Sequence, residues 1–292
     1  MLDLADAAHS RVGSSLPLSN SVAGPPTNLQ ITPDGKLGLV ASSLVNIAKD
    51  GGFGAAPDET LHVIDLSGDA PRLIETIKVG RMPSGRSINR AGTLPLLANR
   101  ASKSVSVLMI QGTVVRAVAE VPVGDEVCAV VITPDGLRAF IAKNTVHKVG
   151  VLAIDGTTVT WDKALDVPVG LGVYSLDIAP DGQRVLAANT GVGGGGHVGT
   201  VSVIDAMATP PRVVDPVTVG DGQDGSAISP DGRHAVAVLL RGTAAMHSAW
   251  SYGKTGAVVL LAITDGKIRP LNLVEAGNLP EGVAFSATGE YV

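Results

Sequence analysis

Apolar and polar positions alternate along this chain in short runs broken by glycine. The stretch Asp221–Val238, DGQDGSAISPDGRHAVAV, shows the unit most compactly. A polar entry leads into a small alternating strand, then Pro230-Asp231-Gly232, then a second apolar strand. Asp-Gly between two such runs predicts a tight antiparallel turn, because glycine readily takes the positive φ the turn needs. The unit recurs. Turn glycines stand at Gly35, Gly92, Gly136, Gly182, Gly232 and Gly289, and a second set closes apolar strands at Gly24, Gly80, Gly124, Gly170, Gly220 and Gly277. The closing glycine precedes the next turn glycine by 11 residues in the first unit and by 12 in the others.

Successive turn glycines are 57, 44, 46, 50 and 57 residues apart. The shorter steps match a four-stranded propeller blade of roughly 40–50 residues, and the longer steps carry insertions. In the third unit the pattern predicts strand a at Ala129–Ile132, b at Ala139–Ala142, c at Lys148–Ile154 and d at Val159–Val169. Helical periodicity is absent, which argues against a doubly wound α/β fold. One small sheet cannot bury both faces, whereas sheets standing around an axis bury one another. The expected fold is therefore all-β, a β-propeller of four-stranded blades forming a single domain over residues 1–292. Blades begin near residues 25, 81, 125, 171, 221 and 278, and the last is incomplete. Residues 1–24 are expected to supply a closing outer strand, through 13–24. A seven-bladed parent is expected, with a six-bladed ring closed by both termini as the alternative.

ITPDGKLGLVAS, VITPDGLRAFIAKN, IAPDGQRVLAANT and ISPDGRHAVAV resemble the YVTN-type β-propeller repeat, and the closing FSATGEYV is similar to its opening. The asparagine ending that repeat's strand b matches Asn99 and Asn189, while Ser42, Lys143 and Leu239 stand in its place elsewhere. The resemblance covers residues 22–292. It implies a propeller first, and after that one of several activities: lactonase-like hydrolases such as 6-phosphogluconolactonase, cofactor-free surface proteins, or amine dehydrogenase heavy chains.

Composition narrows the classes. The chain is 45% hydrophobic and 17% charged, which supports a large core and excludes disorder. A net charge of −5 leaves no electrostatic footprint for nucleic acid. No apolar run reaches the roughly 18 residues of a membrane helix, so a soluble protein is expected. Cys128, the single cysteine, makes no internal disulfide and no thiolate zinc or iron–sulfur site. The N-terminus has no apolar signal region. The expected compartment is cytoplasmic if the chain is complete as given, periplasmic or secreted if a leader was removed. Gly191–Gly196 satisfies the letters G-x-G-x-x-G but opens no helix that would hold a pyrophosphate. Neither G-x-S-x-G nor H-E-x-x-H occurs.

In a propeller the d-to-a and b-to-c connections share one face. The insertions fall in b-to-c connections, at Ser43–Glu59, Thr190–Val198 and Arg241–Thr255, and such enlarged loops over a channel mouth are the expected functional surface. Counting eight residues back from each turn glycine places Thr27, Ser84, Cys128, Tyr174, Asp224 and Glu281 around that mouth. Arg86 lies lower on the same face as Ser84 and suits a substrate carboxylate or phosphate, with Arg81 assisting. A structural Arg86 paired with Asp177 or Glu126 is the competing reading. His197 and His247 in the enlarged loops, with Glu281 and Asp224, are the candidate acid–base groups. Trp250 and Tyr252 would form an apolar wall with Lys254 as an anion contact. No cofactor is expected; Asp224, Glu281 and Glu126 are weak candidates for a divalent cation. Two functions follow: a lactonase-like hydrolase of a small anionic substrate, or a non-catalytic scaffold that binds a ligand or protein on the long-loop face. A dehydrogenase subunit needing a cofactor-bearing partner is a third.

Overall fold

The six turns form as their Asp-Gly and related signals predict. In the computed structural model, which describes residues 2–3, 11–18, 28–191 and 198–292, all six turn glycines have φ between 71° and 76°. The third turn is closed by Thr133 N–H donating to Arg138 O (2.9 Å) and Gly136 N–H donating to Thr133 O (2.8 Å). The sixth repeats the geometry with Ser286 N–H to Tyr291 O and Gly289 N–H to Ser286 O, each 2.9 Å. Thr32, Thr133 and Ser229 each donate a hydroxyl hydrogen to the aspartate two residues on, which is why hydroxyl-Pro-Asp-Gly is the commonest form of the turn here.

Five antiparallel sheets follow in chain order, each with its strands a–d in sequence. Blade 1 comprises Leu29–Ile31, Leu37–Lys49, Gly52–Asp65 and Arg72–Lys78; blade 2 comprises Pro83–Ile88, Pro95–Asn99, Ser104–Gln111 and Val114–Pro122. Blade 3 comprises Val127–Ile132, Arg138–Lys143, Lys148–Asp155 and Thr158–Trp161, with Val167–Pro168 also on strand c. Its strand d was expected as one run over Val159–Val169. The 3-10 turn Lys163–Leu165 interrupts it, because the Asp162 carboxylate accepts from Ala164 N–H at 2.9 Å. Blade 4 comprises Val173–Ile178, Arg184–Asn189, Gly199–Asp205 and Arg212–Gly220; blade 5 comprises Gln223–Ile228, His234–Leu239, Ala257–Thr264 and Lys267–Glu275. The sixth unit contributes its turn, while the expected sixth a-strand before it forms no ladder. Of the segment 13–24, residues 13–18 form no strand and the rest lies outside the described residues. Leu2–Asp3 pairs with Arg11–Val12 instead.

The core sits between blades rather than within them. Leu39 and Val63 pack with Leu97 and Leu108, Leu96 and Val107 with Val130 and Ile141, Phe140 and Val151 with Leu176 and Ile204, and Leu186 and Val203 with Ile228 and Leu261. This radial packing is what obliges matching positions to converge. They do: one central cavity of about 500 Å³ is lined by residues of all six units, among them Gln30, Ser87, Val130, Asp177, Ala227 and Phe285.

The asparagine ending strand b is a buried tie. Asn99 Nδ2 donates to Ser104 Oγ (3.1 Å) and Ser106 Oγ (2.9 Å), and Asn189 Nδ2 does the same for Thr200 Oγ1 and Ser202 Oγ, each 3.1 Å. Gly80 and Gly170 pass directly over these amides, where an added Cβ would lie closer than 3.0 Å to the asparagine. In blade 3 the tie is ionic: Lys143 Nζ reaches Asp166 Oδ2 at 2.8 Å, with both side chains almost wholly buried. Trp161 Nε1–H donates to Asp166 Oδ1 at 2.9 Å and its ring lies under the ammonium.

The enlarged connection Ser43–Glu59 is not a loop. Strands b and c of blade 1 run on as a hairpin arm, in register from Leu44 opposite Pro57 to Lys49 opposite Gly52. Asp50 and Gly51, at φ 47° and 81°, turn it. Asp-Gly was the signal for this hairpin, here with both residues at positive φ, whereas in the landmark turns only the glycine is.

Candidate active site at the channel mouth

The mouth is built by a repeated irregularity. In blades 2 to 5 the pairing of strand a with strand b slips at one equivalent place, between Pro83 and Arg86, Val127 and Val130, Val173 and Ser175, and Gln223 and Ser226. Ser84, Cys128, Tyr174 and Asp224 therefore lie in β-bulges. A bulge releases a residue from the ladder and re-aims its side chain, as it often does beside functional sites. Gly225 completes the arrangement in blade 5. The Glu281 carbonyl packs where its Cβ would be, so the sixth unit is drawn against Asp224.

These positions are not equally open. Ser84 and Cys128 are fully buried. Ser84 Oγ lies 3.5 Å from Ala98 O and from Val127 O, facing the neighbouring blade. Burial pushes the Cys128 thiol up to about 12, so it stays protonated. Tyr174 is half-buried, and burial, opposed by Arg100, leaves its phenol at about 12. Asp224 is 8% exposed, and its Oδ2 has no hydrogen-bond partner among the described residues. Burial first, and the Glu281 charge second, raise its carboxyl to about 7. Glu281 itself is exposed.

Arg100 also stands at the mouth, at a position that the count from the turn glycines does not reach. It follows the last residue of strand b in blade 2, donates from Nη2 to Glu126 Oε2 at 3.2 Å, and stands 5.6 Å from the Tyr174 ring centroid. Its charge acts on both the Cys128 thiol and the Tyr174 phenol. The same column reaches toward the next blade elsewhere: Ser43 Oγ donates to Pro83 O, and Asn144 Nδ2 donates to Val173 O at 3.0 Å. Aligning the units on the end of strand b would have found it.

The remaining expected residues fall away from this cluster. Arg86 lies below the mouth, 5% exposed, and donates from Nε to Leu39 O at 3.1 Å, so it braces blade 1. Asp177, one of its expected partners, uses its carboxylate between blades, accepting from Ile178 N–H (2.8 Å) and Ile228 N–H (2.6 Å). Glu126, the other, pairs with Arg100. Arg81 is exposed, 4.0 Å from Glu59. His247 is exposed and stacks on Tyr252, ring centroids 4.5 Å apart. Trp250 is 83% exposed, and Lys254 is exposed. The Arg241–Thr255 connection is thus a run of turns packed on its own aromatic pair, with Trp250 outside it. His197 lies outside the described residues. No three His, Cys, Asp or Glu groups among the described residues are placed to share a metal ion, Asp224, Glu281 and Glu126 included. No helix among the described residues is long and apolar enough to cross a membrane.

No family model and no curated protein sequence matches the chain. Its structure is similar to Kuenenia stuttgartiensis hydrazine synthase, at 21% identity and TM-score 0.71 over 96% of this chain and 75% of that one. It is similar to a protein from Bacteroides uniformis assigned as a 6-phosphogluconolactonase, at 18% identity and TM-score 0.72 over 96% and 80%. The Pseudomonas aeruginosa periplasmic gluconolactonase matches at 17% identity and TM-score 0.59 over 87% and 86%. The chain therefore shares its β-propeller fold with lactonase-like proteins.

Proposed function

We propose that the protein is a lactonase-type hydrolase working at the channel mouth, with Asp224 as general base. The observation that carries this reading is the Asp224 carboxyl: buried, without a partner on Oδ2, and raised to about 7. A base titrating there holds a useful carboxylate fraction near neutrality and returns the proton readily. Asp224 takes a proton from water as the oxygen adds to the lactone carbonyl. The Arg100 guanidinium and the Tyr174 hydroxyl face the developing oxyanion. Collapse breaks the ring C–O bond, and the leaving oxygen recovers the proton from Asp224.

The anionic substrate expected from Arg86 does not fit this mouth. Arg100 is its cation and is already paired with Glu126, while Asp224 and Glu281 add negative charge, so an uncharged lactone is favoured. The test is hydrolysis of a panel of uncharged lactones. Asp224→Asn is expected to lower kcat about 100-fold or more with the fold intact, and Arg100→Met to lower kcat more than it raises KM. An unchanged rate in Asp224→Asn overturns the assignment.

A second reading, a binding scaffold, is favoured by one observation. Phe53, Met246 and Trp250, all on b-to-c connections, are 84%, 77% and 83% exposed, and exposed apolar anchors on one face suit a docking surface. A wild-type protein inert across the lactone panel, together with a partner captured by wild type and lost in Phe53→Ser/Trp250→Ser, would favour it.

A further inference from the structure

Below the mouth the channel is a chemically different space. Its cavity of about 500 Å³ is lined by strand a of all five blades and by residues 283–287 of the sixth unit, and it reaches the turn face at Pro230. On strand a of blades 3 to 5 the lining residues come after Cys128, Tyr174 and Asp224, none of which lines it. Its walls are mainly aliphatic: Leu29, Val131, Leu176, Ile228 and Val283 supply them, with Phe285 the one aromatic side chain among the lining residues.

The charged groups of this wall are already engaged by the protein. Arg86, 5% exposed, donates from Nε to Leu39 O at 3.1 Å. Asp177 accepts Ile178 N–H on one oxygen and Ile228 N–H on the other, at 2.8 and 2.6 Å. Burial still raises its carboxyl to about 6, as expected beside apolar surface. Ser87 Oγ likewise accepts from Ile132 N–H at 3.1 Å. Ser226 differs. Its Oγ is buried and has no hydrogen-bond partner among the described residues. Such a hydroxyl is costly to leave unpaired, and a single polar atom in the cavity would satisfy it.

We propose that the channel binds an uncharged aliphatic molecule carrying a single hydroxyl, with its chain against Leu176, Ile228 and Val283 and its oxygen on Ser226 Oγ. A charged ligand would leave water for a wall whose own charges are committed elsewhere, and its desolvation would go uncompensated. A polyhydroxylated ligand would bury several hydroxyls against one partner. The volume lies within the range of about 300–1,000 Å³ typical of small-molecule pockets. The site is separate from the mouth and does not depend on the hydrolase reading.

Calorimetric titration of the full chain tests it with three probes of one length: 1-hexanol, hexanoate and hexylammonium. Hexanol is expected to bind at least about tenfold more tightly than either ion. From 1-butanol through 1-pentanol to 1-hexanol the affinity should rise about fourfold per carbon, the value of a buried methylene. Ser226→Ala removes the hydroxyl's partner and should weaken hexanol about fivefold without changing that slope. Ala227→Phe narrows the cavity from the same strand and should abolish binding. Wild type that ignores hexanol at millimolar concentration, takes all three probes equally, or shows no dependence on chain length overturns the proposal. So does hexanol binding that is unchanged in Ser226→Ala or survives Ala227→Phe.

Discussion

Individual residues here are chosen by the crowding they must avoid or the polar group they must satisfy. Gly80 is required because Asn99 occupies the space its Cβ would fill. Gly80→Ala is expected to cost about 1–3 kcal/mol through overpacking, seen as a lower urea midpoint at unchanged m-value. An equal cost in Gly68→Ala, where nothing lies within 4 Å, would show that crowding against Asn99 is not the cause. Asp224 and Asp177 set a pH dependence. Burial raises their carboxyls from 3.8 to about 7 and about 6, so the folded chain holds protons that the unfolded chain releases. Their contribution to stability is full below pH 3.8 and is lost as pH rises through about 6 and then about 7. Asp224→Asn should therefore be more stable than wild type at pH 8 and little different at pH 4, in denaturant unfolding at each pH. A difference independent of pH would refute the assigned cause.

Elements were legible where a turn signal bounded them. The Asp-Gly landmarks located strands a and b because glycine's positive φ is local and needs no partner. They also located the bulged mouth positions, since a fixed count back from the turn lands on Ser84, Cys128, Tyr174 and Asp224 alike. What the count could not give is which of these a neighbouring blade covers. Ser84 and Cys128 are fully buried, Asp224 keeps 8% exposure and Tyr174 is half-buried, and that is decided by contacts between units. Arg100 escaped notice because its role is set by the next blade's Glu126. The blade 3 tie illustrates the same limit: Lys143 looked like a lapse in the repeat, yet Asp166 and Trp161 from strand d's interruption make it a buried ion pair. Lys143→Met or Asp166→Ala alone should cost about 3–5 kcal/mol by leaving one charge buried, and the double variant markedly less. A double variant costing the sum would show that the two do not couple.

At the scale of the molecule, packing is strongest between consecutive complete blades and changes character at the sixth unit. Strand a of blade 3, Val127–Ile132, is buried throughout, whereas Leu29 and Ile31 of strand a in blade 1 are 55% and 46% exposed. Residues 281–286 reach the channel without a ladder. Their amides should exchange with solvent well before those of Val130–Ile132 in hydrogen-exchange mass spectrometry; equal protection would mean that a sixth sheet forms. Glu281 thus comes to Asp224 on the least constrained part of the ring, and the proposed chemistry depends on that approach. The pH–rate profile of lactone hydrolysis, wild type against Glu281→Gln, tests this most directly. The rate is expected to rise through about pH 7 in wild type, with the midpoint displaced to lower pH once the Glu281 charge is removed. A midpoint that stays in place, or a profile retained in Asp224→Asn, would contradict it.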